Sequence, residues 1–362
     1  MPTAAEIAQI AGNPYAATIL DVVRASAPIF TAMEALPMSG TSFRTLAITG
    51  LPTPSGVLDI NQGMISTKAT MAMDKVEAKR FGILVKAPVS STDLWNRENT
   101  LPGGAMVAMD YMTIQAASAT RAELNNIDKL IIYGTTLDAK SFPGLKQVCG
   151  VVVADNSYVR TGAPEDYGYA RTAINWAGTT ATAASSVYSI CEGPEDVALR
   201  IGGPNGLAGF LAMTDIREQY YADPADSTRS QRYYLSDGEG YAGLQVFGSS
   251  QAQADRKFAQ FSVRRLYNVT ADVGFTLTQS ALDLLIESHP DGHKPTKFLM
   301  SKRSQRQLRD SLAATATVFV NAGGDARSNT YTRTPELPLQ HAGIPIIASE
   351  WIYSNEAIEV PA

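Results

Sequence analysis

The sequence predicts an α+β protein on three observations: period-two alternation over residues 41–88, unbroken helical pattern from Ala105 to Tyr133, and short strands alternating with two helices after Ser186. Residues 1–40 open with a short helical segment, Tyr15 to Ser26, which gains stability only by lying on something else. From Thr41 the period changes. Leu46 and Ile48 share one face of a strand, Leu58 and Ile60 one face of another, and Leu51-Pro52-Thr53-Pro54-Ser55-Gly56 supplies the turn of a long hairpin. Two such strands alone are marginal in water, so this hairpin must find its core on its own body or on a neighbouring subunit. Extended runs at Lys68–Val76 and Arg80–Ala87 follow, the second alternating Phe81, Ile83 and Val85 against Arg80 and Lys86.

Asn99-Thr100-Leu101-Pro102-Gly103-Gly104 then forms a hinge, and no Gly or Pro interrupts residues 105–133. At about 1.5 Å per residue this helix runs on the order of 40 Å. Ala117, Leu124, Ile127 and Ile131 make one apolar stripe; Met109, Met112 and Ala116 make a second, read as ordinary core rather than a cofactor pocket. Asp110, Arg121, Glu123, Asp128 and Lys129 decorate the rest. The helix closes at Tyr133-Gly134 and leads into Ser141-Phe142-Pro143-Gly144-Leu145. Residues 158–184 read as an insertion or long loop. Beyond them come strands at Val187–Ile190 and Val197–Ile201 and a polar, Tyr-rich excursion from Glu218 to Tyr241. A strand pair at Leu244–Phe247 and Ala259–Val269 follows, then helices Gln279–Ser288 and Ser301–Leu312 around the strand Thr296–Met300, and a last strand at Ile344–Ser349.

The 362 residues suffice for a large core and more than one lobe. A 45% apolar and only 18% charged composition describes a folded protein with an unusually uncharged surface, part of it expected to be covered by partners. The formal net charge of −5 argues against a protein that grips phosphate backbones, which needs clustered Lys and Arg. Met1-Pro2-Thr3-Ala4-Ala5-Glu6 lacks the basic start of a signal peptide, and no apolar run approaches a membrane span, so a cytosolic origin without membrane partners is expected.

Candidate chemistry is sparse, and no catalytic, cofactor-binding or metal-binding residue is assigned. His289 and His293 stand four apart, but Pro290 and Gly292 break the helix such a metal pair requires, and a solvated turn is the expected reading; His341 stands alone. Gly248-Ser249-Ser250-Gln251-Ala252 lacks the second glycine of a nucleophile elbow, and Gly202–Gly209 is glycine-rich without the order or the Lys-Ser/Thr ending of a phosphate loop. The acidic pairs Glu195-Asp196 and Asp223/Asp226 are scattered among loops. Lys302, Arg303, Arg306 and Arg309 form the one basic cluster, on a broad helical face expected to be solvated. Cys149 and Cys191 have no ligand or redox spacing, and a disulfide between them is not expected.

Taken in order, the elements resemble the major capsid proteins of tailed bacteriophages, whose shell fold is named after phage Hong Kong 97. The resemblance runs from about Asn13 to Val360 and is carried most specifically by Asn125-Asn126-Ile127-Asp128-Lys129-Leu130-Ile131-Ile132-Tyr133-Gly134 with Phe142-Pro143-Gly144-Leu145, and by Gly343-Ile344-Pro345-Ile346-Ile347. It implies an N-terminal arm (1–40), an extended β-hairpin or E-loop (41–80), a peripheral domain (81–184) with a spine helix near 105–133, and an axial domain (185–362) with strands returning to the peripheral domain. It also implies assembly of this chain with itself into pentamers and hexamers of an icosahedral virion head around double-stranded DNA. Assembly in the host cytoplasm is implied, with portal, scaffolding and decoration proteins as partners and with no enzymatic activity or cofactor. About forty residues precede the hairpin, so a separate scaffolding protein or an earlier cleavage is expected. Some relatives cross-link a hairpin lysine to a neighbour's asparagine; Lys68 and Lys75 lie near that region, but the reaction also requires an acid in a dry pocket. Two rival readings are an encapsulin-type nanocompartment shell and an α+β hydrolase or lyase.

Overall fold

The computed structural model describes residues 27–38, 40–50, 68, 70–90, 92–93, 111–149, 173–176, 178–203, 210–222, 230–246, 262–289, 294–321 and 337–359, with backbone alone at 45–50, 70–74, 111 and 313–321. The expected helix at 15–26, the turn 51–56, the strand of Leu58 and Ile60, the hinge 99–104, the first turns of the long helix and the loop from 158 to 172 lie outside these residues. The chain divides into two compact units: Met1–Thr41 with Ala78–Leu145 and Leu199–Leu244, and Ser42–Glu77 with Lys146–Ala198 and Gln245–Ala362.

The first unit begins with a short helix α1 (Pro28–Ala32) and strand β1 (Ala35–Pro37). β1 lies parallel to β7 (Ala198–Gly202) at the edge of a six-stranded sheet ordered β1-β7-β10-β4, with β8 and β9 also paired to β10. Strand β4 (Lys79–Pro88) buries Phe81, Ile83, Val85 and Ala87 and exposes the residues between, as its alternation demands. Its antiparallel partner is β10 (Ser230–Gln245), aligned from Tyr233↔Pro88 to Ala242↔Lys79. The opposite edge of β10 takes β8 (Ala212–Met213) and β9 (Arg217–Ala222). The Tyr-rich excursion expected over 218–241 is thus two paired strands. Ser236-Asp237-Gly238-Glu239-Gly240 reads locally as a turn, yet the absent Cβ at Gly240 is what lets Phe210 and Leu211 approach the strand.

The described part of the long helix, α2 (Tyr111–Tyr133), is helical over that span as its pattern predicts. Leu124, Ile127, Leu130, Ile131, Ile132 and Tyr133 are buried in its C-terminal half, whereas Ala116, Ala117 and Ala119 remain half-exposed. Asp128, read from the sequence as outer-face decoration, is fully buried. The helix ends at Gly134, whose φ of +46° starts a 3-10 turn through Thr136. The chain then comes back across this end: Phe142 packs edge-on to Phe81 with ring centroids 6.4 Å apart, and Leu145 is buried.

In the second unit β2 (Ser42–Gly50) pairs with β3 (Thr70–Glu77) as a two-stranded antiparallel sheet, with Leu46 opposite Met73 and Ile48 opposite Met71. The ladder therefore joins the first expected strand to the third extended run. A six-stranded sheet ordered β13-β14-β12-β6-β11-β5 forms the body, from β5 (Ala173–Asn175), β6 (Ser185–Ile190), β11 (Val263–Val269), β12 (Lys297–Ser301), β13 (Gln340–His341) and β14 (Ile344–Ser349). The expected pairing of Leu244–Phe247 with Ala259–Val269 does not occur among the described residues, since β10 and β11 belong to different sheets. Helix α3 (Leu145–Val148) enters the unit, and helices α4 (Gln279–Glu287) and α5 (Lys302–Asn321) supply Ala281, Leu282, Leu285 and Leu308 to a core with Val187, Leu266, Phe298, Met300 and Ile346. The Thr278 hydroxyl caps α4 by accepting from Ala281 N at 3.3 Å.

A Cβ on Gly144 would sit 2.6 Å from both Gly134 N and Ile132 O, backbone atoms that cannot move without unwinding the helix end. Gly144→Ala is expected to lower stability by about 1–3 kcal/mol. Gly82→Ala, whose Cβ would meet only Gly238 O at 3.9 Å, should leave the denaturation midpoint nearly unchanged; urea titration of both variants checks the contrast.

Candidate functional site

Adjacent residues of a strand point to opposite faces, so Arg264 and Arg265 of β11 reach different sides of the second sheet. Both are buried. Arg265 forks onto Glu359, with Nη1 to Oε2 at 2.7 Å and Nη2 to Oε1 at 2.6 Å, and its Nε and Nη2 donate to Ser186 Oγ at 3.1 and 3.0 Å. Ser186 in turn donates to Glu356 at 2.7 Å, and Lys146 Nζ stands 2.9 Å from Glu359. The guanidinium also faces the Tyr267 ring at 5.4 Å. A bulge after Leu266 places Asn268 at φ +59°, from where its side chain donates to Glu359 O and accepts from Glu359 N. Burial raises the Glu359 carboxyl, but Arg265 and Lys146 outweigh it and hold the group down to about 2. This network fastens the chain from Glu356 to Glu359 across the sheet. On the other side, Arg264 Nε donates to Ser288 O at 3.0 Å, satisfying the end of α4.

His289 is buried rather than in the solvated turn expected for it. Its Nε2 lies 2.7 Å from Ser189 Oγ and its Nδ1 3.6 Å from Cys191 Sγ. Ser–His spacing of this kind serves catalysis only with access to a substrate, and Ser189, Cys191 and His289 are all sealed in the core. Burial pushes the Cys191 thiol up to about 12 and the Cys149 thiol to about 12, so both stay protonated at neutral pH; both are free, as expected. His341 Nε2 pairs with Asp283 at 2.7 Å, and His293 lies outside the described residues. No group of three or more His, Cys, Asp or Glu suited to a metal occurs among the described residues.

The basic cluster is not one solvated face. Arg303 reaches inward to Ser354 O at 2.7 Å and Val269 O at 3.0 Å, Lys302 pairs with Glu350 and Arg309 with Asp310; Arg306 is exposed. Asp196 accepts from Ser262 Oγ at 2.5 Å, while Asp223, Asp226, Pro204–Gly209 and Gly248–Ala252 lie outside the described residues. Gly202 is the point where Met38 O approaches β7, which gives this glycine a packing reason. Lys68 is exposed, and Lys75 is exposed and pairs with Glu77 at 2.7 Å on the same strand; neither occupies a dry pocket within the single chain. None of the helices among the described residues is long and apolar enough to cross a membrane. The adjacent buried arginines were missed in the sequence, where Arg264-Arg265 inside an otherwise apolar strand was the available signal.

No protein-family model and no curated protein matches the chain. Among solved structures it is similar to a chain in the near-atomic-resolution structure of bacteriophage epsilon15, at 17% identity over 92% of this chain and 89% of that one, with a TM-score of 0.56. The architecture is thus the α+β fold of the Hong Kong 97 type, as the order of elements implied. Two further matches, at 11% identity each, are the bacteriophage JBD30 capsid (89% of both chains, TM-score 0.40) and the capsid of a native GTA particle (67% and 90%, TM-score 0.35).

Removing Arg265 leaves Glu356 and Glu359 against a buried sheet with Lys146 as their remaining cation, so Arg265→Ala is expected to cost about 3–5 kcal/mol. Because Glu359 is depressed, its contribution is complete above the ordinary carboxylate range near 4.5 and is lost as pH falls toward 2. Wild type should therefore lose stability across that window more steeply than Glu359→Gln, which acid titration of the thermal midpoint measures.

Proposed function

We propose that this protein is the major capsid protein of a tailed bacteriophage, a non-enzymatic subunit that assembles with itself into the pentamers and hexamers of an icosahedral head enclosing double-stranded DNA. The observation that carries this reading is the fold likeness to the epsilon15 chain over nearly the full length of both. The hairpin supports it: β2 and β3 form a two-stranded sheet of their own, the kind of element that is marginal until a neighbour covers it. The half-exposed alanines on the N-terminal half of α2 and the exposed Leu84 of β4 suit the same use. A net charge of −5 suits a wall that contains DNA without adhering to it.

The domain division read from the sequence belongs to this proposal: an arm at 1–40, the E-loop at 41–80, a peripheral domain at 81–184 and an axial domain at 185–362. Strands β7 to β10, which share the sheet of β4, take the role of the strands returning to the peripheral domain. Portal, scaffolding and decoration proteins are the partners such a shell requires, and the virion is its location.

Negative-stain microscopy with sedimentation tests the assignment on protein expressed alone and with its neighbouring genes. Shells, tubes or capsomer rings are expected; a discrete monomer or dimer under every condition would sink the reading, and closed shells filled with a protein cargo would move it to a nanocompartment. If the hairpin completes its burial on a neighbour, amide exchange over 42–50 and 70–77 should slow at least tenfold, as an order of magnitude, when dispersed subunits assemble.

A further inference from the structure

Asp128 projects from α2 into the joint with α1 and is fully buried, yet it forms no ion pair among the described residues. Its donors there are backbone amides, Ile29 N at 3.3 Å to Oδ2 and Phe30 N at 2.5 Å to Oδ1. Those amides have no cap of their own, because Ala27 precedes the helix and carries no acceptor side chain. Ala27 and Ile29 are buried beside them, and Phe30 stacks on Phe210 with centroids 5.9 Å apart. Past α1 the chain is fastened differently, by Leu199 N to Glu34 O, the β1–β7 pairing and Met38 N to Ile201 O.

Among the described residues no charged side chain around this joint forms an ion pair with Asp128. Helix α1 has no ionisable side chain, and Glu34 beyond it is exposed. One turn to either side of Asp128 on α2 stand Leu124, Asn125, Ile131 and Ile132; Glu123 and Lys129 are half-exposed. Strand β4, packed against α2, carries Lys79, Arg80 and Lys86, of which Arg80 pairs with Glu239 and Lys86 lies over the rings of Tyr221 and Tyr233; Lys79 is half-exposed. A carboxyl in such a setting gains nothing from a counter-charge and loses its hydration when it ionises.

We propose that Asp128 is a proton-operated latch for the N-terminal segment: α1 docks firmly on α2 while the carboxyl is protonated, and loss of the proton loosens it. Undocking admits water to the carboxyl, which the ionised form prefers. Burial raises the group from 3.8 to about 7, against the opposing effect of the Phe30 and Ile29 hydrogen bonds. The sign follows from the raised value: the extra docking strength is complete below the ordinary value and is lost as pH rises through 7, falling by up to about tenfold per unit in between. The latch does not require that the chain build a shell.

The test is amide hydrogen exchange at Ile29 and Phe30, expressed as protection relative to the intrinsic rate at each pH, in the purified chain in whatever assembly it forms. Protection in wild type should fall roughly tenfold per unit from pH 5 to 7 and level off above. Asp128→Asn should be flat over the same range, and Asp128→Ala should be weakly protected throughout. Leu199 and Met38, paired beyond the joint, serve as internal references and should not follow the slope. A flat wild-type profile, the same slope in Asp128→Asn, or an equal slope at the reference amides would overturn the proposal. Should Asp128→Asn fail to fold, the wild-type profile against its internal references decides alone.

Discussion

A guanidinium cannot surrender its proton, so a strand that buries Arg265 dictates what must surround it. Two carboxylates, a serine hydroxyl and an aromatic face converge on this group, and both carboxylates come from the last described residues of the chain. The tail therefore has to lie across the sheet, the bulge at Asn268 has to present an amide to it, and Lys146 has to balance the second acid. Arg264 imposes the matching condition on the other side by holding the carbonyl of Ser288, the C-cap of α4. One dipeptide thus ties a tail and a helix to opposite faces of the same strand, which is why β11 is buried along its whole length.

Much of the fold is legible where a local rule and the tertiary environment agree. The alternation of Phe81, Ile83 and Val85, the helix closing at Gly134 and the strand–helix order after residue 277 all follow from periodicity and end chemistry. Gly144 shows the same agreement at closer range: the resemblance marked Phe142-Pro143-Gly144-Leu145 as specific, and the backbone crossing at Gly134 is the physical reason. What escaped the sequence is the set of residues whose local character is overridden by distant partners. Asp128 sits among polar neighbours and reads as surface, but its partners are 98 and 99 residues away. His289 stands next to Pro290 and Gly292 in the sequence and reads as part of a turn, but its burial depends on strand β6, a hundred residues earlier. Strand β10 contains a turn-like Asp237-Gly238-Glu239-Gly240 that only a paired sheet keeps extended. Composition excluded functions more readily than it identified one, and the positive reading came from the order of elements.

The distribution of burial separates what a subunit completes by itself from what it leaves open. The second sheet is filled from both sides, and its buried Arg265, Ser186 and Glu356 are satisfied by one another. The hairpin of β2 and β3 has the opposite character, two strands whose ladder is complete but whose faces belong to no larger sheet. Helix α2 divides in the same manner along its length, its C-terminal turns enclosed and its alanine-rich turns only half covered. Small residues at half-covered positions let another backbone approach closely, whereas large ones would have exposed an adhesive patch on the free subunit.

The two ionisable joints differ in a way that assigns them different duties. Glu359 is held ionised by two cations, and its state is constant through the whole neutral range. Asp128 is given amides but, among the described residues, no cation, and its state changes near neutrality. A joint of the first kind suits a core that must survive any change in its surroundings, since no physiological shift in pH alters its charge. The second kind suits an element that is placed last or released first: the cost of ionising it falls on one short helix. If Asp128 had been given an arginine in place of its amide donors, α1 would be fixed as firmly as the tail at Glu359. The choice of donor, rather than the presence of a buried acid, is what makes one attachment permanent and the other conditional.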